Sequence, residues 1–157
     1  MIITLDDLSS IRQQHTNQKL VMTSGTFDLL HTGHLNYLEQ VKKHGDIVVA
    51  LLSGDNRVKA RKGQNRPIIS ENDRARMLDN LKLVDYVFID PSKLGPEETD
   101  SVHADVLQKL NPDFYVTDGP DPRFVELMDE SKFITLERMN PEPSTTAIIE
   151  RIINLSR

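Results

Sequence analysis

Ser24-Gly25-Thr26-Phe27-Asp28-Leu29-Leu30-His31-Thr32-Gly33-His34 follows the apolar run Leu20-Val21-Met22 and leads into a segment with Leu35, Leu38 and Val41 on one helical stripe. A strand, a glycine-bearing turn with a carboxylate and two imidazoles, and then a helix make the opening unit of an open α/β sheet. Such sheets keep their chemistry beyond the carboxyl ends of the strands, with anions drawn to the exposed N–H groups of the helix start. Phosphate is the expected ligand.

Outward from this stretch the chain alternates strand and helix. Thr4 with Asp7 reads as a capping box opening a short helix to about Gln14, and the first strand runs from about Leu20 to Thr23. A helix from about Gly33 to Lys43 ends at Gly45. Ile47-Val48-Val49-Ala50-Leu51-Leu52 is unbroken apolar sequence, the mark of a strand buried on both faces of a parallel sheet. Residues 54–69, with Gly54, Gly63 and Pro67, read as a polar loop; Ser70 and Asp73 then cap a helix carrying Ala75, Met77, Leu78 and Leu81. Val84 to Ile89 is a third strand, Leu94 to Thr99 a turn region, and a helix follows to about Leu110. Phe114-Tyr115-Val116 is a short strand, a helix is expected near Arg123 to Asp129, and Phe133 to Leu136 is a last strand. Beyond Pro141 and Pro143, Ser144 caps a final helix. The pattern predicts a doubly wound, Rossmann-like parallel sheet forming one domain over residues 1–157.

Composition narrows the function. The chain has 157 residues, no cysteine and a net charge of -5, so disulfides and thiolate metal sites are excluded and general nucleic-acid binding is disfavoured. No segment is long and apolar enough to span a bilayer, and the early acids Asp6 and Asp7 do not suit a signal peptide, so a cytoplasmic protein is expected. Against the acidic whole, Arg57, Lys59, Arg61, Lys62 and Arg66 form a run without acids. That concentration suits a small anionic ligand, although a solvated surface run would look the same.

His31 and His34 are three residues apart and share a face if both lie on the opening turn. Imidazoles there can donate to phosphoryl oxygens and stabilise charge developing at an attacked phosphorus. Gly33 between them would let phosphate approach the backbone. Phe27 reads as packing beneath the loop. Asp28 can orient a hydroxyl, help hold Mg²⁺ beside phosphates, or form a local turn. His15, His44 and His103 have no metal-ligand spacing to the pair. Lys59, Lys62 and Arg66 are candidates to neutralise phosphates, and of Arg74 and Arg76 one should face the crevice. Ser144-Thr145-Thr146 gathers hydroxyls and free N–H groups at a helix start, which serves as an N-cap and can hold phosphate.

Together these residues resemble the cytidylyltransferase-like nucleotidyltransferases, which join a nucleoside triphosphate to a phosphorylated acceptor and release pyrophosphate. The resemblance spans nearly the whole chain. It rests on Gly25-Thr26-Phe27-Asp28 with His31-Thr32-Gly33-His34, Lys59 through Lys62-Gly63, Arg66-Pro67-Ile68, Glu71-Asn72-Asp73-Arg74, Val84-Asp85 and Ser144-Thr145-Thr146-Ala147-Ile148-Ile149. It implies catalytic roles for His31, His34 and Lys62, and nucleotide binding by Thr26, Phe27, Asp28, Gly33, Arg138, Ser144, Thr145 and Thr146. It further implies an acceptor-phosphate site of Lys59, Arg66 and Arg74, with Asp118 and Asp121 as uncertain members. Mg²⁺ is expected on the phosphates, with Asp28 a possible ligand, and the small-molecule enzyme is expected to be a homodimer.

Within the family, Leu29-Leu30 resembles the cytidylyltransferase and sugar-phosphate branch, and Leu5-Asp6-Asp7-Leu8, Arg66-Pro67-Ile68 and the overall length are most similar to heptose 1-phosphate adenylyltransferases, so ATP is expected slightly ahead of CTP as the donor. The heptose enzymes carry Val-Lys-Gly-Gly-Asp-Tyr after their fourth strand, where this chain has Val116-Thr117-Asp118-Gly119-Pro120-Asp121. A CTP-dependent cytidylyltransferase for glycerol 3-phosphate or another polyol phosphate is the alternative. FMN adenylylation fits less well, since only 5% of residues are aromatic. A catalytically silent nucleotide sensor is the alternative of a different class. A dinucleotide-dependent oxidoreductase would need a Gly-x-Gly-x-x-Gly turn after the first strand, which is missing.

Overall fold

The computed structural model describes residues 1–92, 96–119, 127–137 and 143–156. Strands β1 (Ile2–Ile3), β2 (Leu20–Gly25), β3 (Ile47–Ser53), β4 (Tyr86–Asp90), β5 (Phe114–Thr117) and β6 (Phe133–Thr135) form one sheet in the order β1-β4-β3-β2-β5-β6. Every pairing is parallel. The chain steps from β2 through β3 to β4 in one direction, then crosses to β5 and β6 on the other side of β2. The strand order therefore reverses between β2 and β5, where a ligand crevice is expected.

The apolar run of β3 explains why the sheet needs cover on both sides. Ile47, Val49 and Leu51 alternate into one core with Leu8 and Ile11 of helix α1 (Leu8–Gln14) and Val106, Leu107 and Leu110 of α5 (Pro96–Leu110). Ala50 and Leu52 face the opposite core, with Leu38 of α2 (Thr32–Lys42) and Ala75 and Leu78 of α4 (Glu71–Asp79). Val48 joins Val21, Val41 and Val116 in a third cluster on that side. The period-2 geometry of a strand thus divides one hydrophobic run between two layers.

Several sequence expectations need correction. Residues 54–69 are not all loop: Asp55–Lys62 is helix α3, bracketed by Gly54 as N-cap and Gly63 with φ +93°. Only Val58 of α3 is buried, so the helix has no apolar stripe to betray it. Residues 96–99, expected as a turn, already belong to α5. Strand β1 was not expected; it is two residues long and pairs with the outer edge of β4. Asp7, not Thr4, occupies the N-cap of α1, and its carboxylate accepts from the Thr4 N–H and hydroxyl, both at 2.7 Å. The helix expected near Arg123 falls mostly outside the described residues, while residues 127–129 form a turn into a 3₁₀ segment, Glu130–Lys132. Ser70 and Ser144 cap α4 and the last helix, α6 (Thr145–Leu155), accepting from the Asp73 and Ala147 amides.

Candidate active site

A cavity of about 640 Å³ opens beyond the carboxyl ends of the strands, with walls from the 24–34 segment, α3, the ends of β4 and β5, and the start of α6. On its wall Tyr37 straddles the switch point: its hydroxyl donates to the Val116 carbonyl at 3.0 Å and lies 2.6 Å from Thr23 Oγ1. Burial pushes that hydroxyl well above the usual tyrosine range, so it stays protonated and ties α2 to β2 and β5.

His31 is the N-cap of α2 and His34 lies one turn in; their rings stack at 3.9 Å with 21° between planes. The Phe27 ring, 5.4 Å away, backs His34. Burial, then the neighbouring His31 and Lys62, hold the His34 imidazole down at about 4. His34 is therefore neutral at pH 7. Its Nδ1 accepts from the His31 N–H at 3.4 Å, which leaves the proton on Nε2. The neutral ring can thus donate one hydrogen bond from Nε2.

Asp28 does different work from that expected of a metal ligand. It is 1% exposed, with Oδ1 accepting from the Ile68 and Ile69 amides at 3.1 and 3.0 Å and Oδ2 from Ile68 N–H and Arg66 Nε, each at 3.0 Å. Burial would raise this carboxyl, but the two amides and the Arg66 guanidinium outweigh it and hold it below the usual carboxylate range. Three donors, with the Ile68 N–H shared between both oxygens, occupy the carboxylate, so Asp28 does not fit as a Mg²⁺ ligand. Among the described residues no cluster of three or more metal-ligating side chains exists either. Mg²⁺ is commonly carried largely by phosphates and water, so these side chains do not by themselves build a site for it. The Asp28 latch also holds Phe27 and Leu29 at φ +49° and +48°, a conformation that costs roughly 1–2 kcal/mol per non-glycine residue.

Arg74 is likewise structural. It is fully buried, and its guanidinium donates to the carbonyls of Ile69 (2.9 Å), Ser53 (3.0 Å) and Thr26 and to Asp55 Oδ1 (2.7 Å). It does not line the cavity; it pins the ends of β2 and β3 to α4 and is removed from the acceptor set.

Across the cavity, Thr145 Oγ1 donates to the Asp28 carbonyl at 2.8 Å and locks the start of α6 onto the loop that bears the histidines. Gly33 permits this contact. A Cβ there would stand 2.7 Å from the Pro143 carbonyl and 3.0 Å from the His31 ring, so the position needs glycine for protein packing whether or not a phosphate approaches it.

Residues 22–151 match the cytidylyltransferase-like family. The chain belongs to that family. Its relatives include the bifunctional protein HldE of Helicobacter pylori, 42% identical over 141 residues, covering 88% of this chain and 28% of that protein. HldE of Campylobacter concisus is 38% identical over 151 residues, covering 95% and 30%. The chain thus spans about three tenths of the length of these relatives. Among solved structures, the lipopolysaccharide core biosynthesis protein of Thermoplasma volcanium has a TM-score of 0.59 and 26% identity, covering 78% of this chain and 99% of that one. A pantoate-beta-alanine ligase of Francisella tularensis, with a TM-score of 0.60 and 18% identity over 100% of this chain and 79% of that one, shares the fold.

In this nucleotidyltransferase domain the cavity gathers Thr26, Phe27, Asp28, His31, Gly33, His34, Lys62, Arg66, Asp118, Ser144, Thr145 and Thr146. Lys59 is half-buried and off the cavity wall; Arg138 and Asp121 lie outside the described residues. Arg66 spends its Nε on Asp28. Thr117, where the heptose branch has lysine, is buried and donates to the Gly119 carbonyl at 2.9 Å. Sequence reasoning placed Arg57 and Arg61 in the basic run without giving either a site role, and missed Asp90 and His103. Arg57 and Arg61 are four apart and share a face of α3, whereas Lys59 lies on another side; reading 55–62 as helix would have found them. Arg61 Nη2 donates to Thr26 Oγ1 at 3.2 Å. His103 and Asp90 meet only through the tertiary fold and have no local signal. Among the described residues no helix is long and apolar enough to cross a membrane.

Proposed function

We propose that this domain transfers AMP from ATP to a sugar 1-phosphate of the heptose type, releasing pyrophosphate. The observation that carries the reading is the meeting of two helix N-termini, the His31/His34 turn of α2 and the Ser144-Thr145-Thr146 start of α6, across one cavity that Arg61 and Lys62 also border. Both termini present N–H groups and positive dipole ends to a polyanion. An acceptor phosphate oxygen attacks the α-phosphorus in line, the new P–O bond forms and the bond to pyrophosphate breaks. His34 donates from Nε2 to a phosphoryl oxygen as charge shifts, and Lys62 neutralises the departing phosphates. Catalysis of this kind is positioning and charge stabilisation, without a covalent enzyme intermediate. Mg²⁺ enters with the triphosphate, screening its charge.

The choice of heptose and ATP rests on likeness to the HldE adenylyltransferase domain. Thr117 in place of the heptose-type lysine counts against heptose without matching the Gly-Asp-Asp of polyol-phosphate cytidylyltransferases; the second reading is a CTP-dependent enzyme for a polyol phosphate. Pyrophosphate release from ATP and CTP, each with heptose 1-phosphate and glycerol 3-phosphate, separates the two. The first reading expects ATP with heptose 1-phosphate to dominate. A dominant CTP and glycerol 3-phosphate pair would replace it, and triphosphate binding without turnover would favour a sensor. A cytoplasmic homodimer belongs to the same proposal; Ile152, Ile153 and Leu155 on the exposed side of α6 offer apolar surface for it, and light scattering in solution reads its mass.

A further inference from the structure

At the β4 side of the cavity three polar side chains converge that the proposed transfer does not use. Asp90 Oδ2 lies 3.0 Å from Arg57 Nη1 and 3.3 Å from His103 Nε2, and Oδ1 accepts from the Ser92 N–H at 2.9 Å. Arg57 Nη1 and His103 Nε2 are themselves 3.3 Å apart. The side chains of Asp90 and His103 are each 2% exposed and that of Arg57 12%, yet all three residues line the cavity. Burying a carboxylate and a guanidinium together costs desolvation that a stable apolar wall would avoid. Their placement on the wall of a ligand cavity is therefore informative.

Two features define what the cluster suits. Asp90 and Arg57 cancel in charge, so this wall offers fixed donors and acceptors without a net field; it suits hydroxyls better than a second phosphate. Its distance matters too. β4 is separated from β2, which delivers the histidines, by β3 alone, and Ser53 pairs with Asp90 one residue beyond the Gly25–Leu52 pair. Two strand spacings make about 10 Å. A sugar whose phosphate sits at the histidines can span that gap, whereas glycerol is shorter.

We infer that Arg57, Asp90 and His103 form the wall that holds the hydroxyl-bearing body of the acceptor, which makes the domain selective for sugar phosphates over short polyol phosphates. This rests on the reading of the domain as a sugar-phosphate nucleotidyltransferase. Asp90 fixes Arg57, and the pair with His103 presents polar edges to ring hydroxyls on the side away from the transferred phosphorus.

The test is titration calorimetry of heptose 1-phosphate, glycerol 3-phosphate and ATP, each into wild type, Arg57→Gln and Asp90→Asn; the Asn variant keeps the shape of the side chain it replaces. Both variants should weaken heptose 1-phosphate tenfold or more and leave glycerol 3-phosphate and ATP within twofold. Unchanged heptose 1-phosphate binding, equal weakening of all three ligands, or no binding of heptose 1-phosphate to wild type would each overturn the inference. Turnover by wild type is measured separately. Selective binding of the sugar phosphate without pyrophosphate release would sink the proposed transfer and leave the wall assignment standing.

Discussion

Replacing His34 by Asn isolates the hydrogen bond on which the proposed chemistry depends. The Asn side chain can still accept from the His31 N–H, so the start of α2 keeps its cap, but nothing reaches the position of Nε2–H. With the imidazole held at about 4, roughly one ring in a thousand is protonated at pH 7. Wild-type His34 therefore acts as a neutral donor, and loss of one such donor to developing charge is worth ~10²–10³ in kcat, about 2.7–4 kcal/mol. Initial rates of pyrophosphate release at saturating ATP and acceptor give kcat; kcat/KM followed from pH 6 to 8 reports the free enzyme. The variant should lose at least a hundredfold in kcat, and neither protein should show a kcat/KM inflection near 6.5 that belongs to residue 34. A kcat within tenfold of wild type, or a wild-type inflection near 6.5 abolished in the variant, would refute the neutral-donor role.

The same lowered imidazole makes a stability prediction. His34 is held below its unfolded value of 6.5, so its neutral form is favoured by the fold, and the associated stability is full above pH 6.5 and declines as pH falls towards 4. After allowance for partial solvent screening the difference is ~1–2 kcal/mol, seen as an excess loss by wild type over His34→Asn in urea melts between pH 6.5 and 4; superimposable losses would exclude it. Asp28→Ala breaks a buried ion pair and strands two amides, which should cost ~3–5 kcal/mol and lower Tm by roughly 10 °C. The carboxylate's contribution is present above pH ~4 and lost as pH falls through its lowered value; a melt within 2–3 °C of wild type, ~1 kcal/mol, would return Asp28 to a ligand role. Gly33→Ala forces the Pro143 carbonyl away from α2, costs about 1–3 kcal/mol, and should weaken ATP binding through the displaced start of α6; unchanged affinity and Tm would show that α6 is not held through this contact.

Much of the architecture is legible in the sequence because two signals are local. The run from Ile47 to Leu52 can bury both faces only in a layered parallel sheet, and the helix after Gly33 carries its stripe in Leu35, Leu38 and Val41. α3 is illegible by the same rule, since its stability comes from helix-forming Arg, Lys and Ala residues and two bracketing glycines rather than an apolar face. Arg74 looks like a phosphate ligand in sequence because a cation after a basic run carries no sign of whether carbonyls will surround it. Asp28 misleads for a similar reason: its partners at Ile68 and Ile69 lie some forty residues on and are backbone amides. The Asp90–His103 contact joins a strand end to a helix that no spacing rule connects.

The central claim is transfer of a nucleoside monophosphate to a sugar phosphate within this cavity. Its most direct test is to incubate the protein with heptose 1-phosphate and ATP labelled at the α-phosphorus, and to follow label and pyrophosphate together. The account predicts that label enters a sugar-linked diphosphate in equal molar amount to the pyrophosphate released, and that Arg57→Gln slows this with heptose 1-phosphate. Label appearing only in ADP, or free AMP formed without any sugar-linked product, would contradict it.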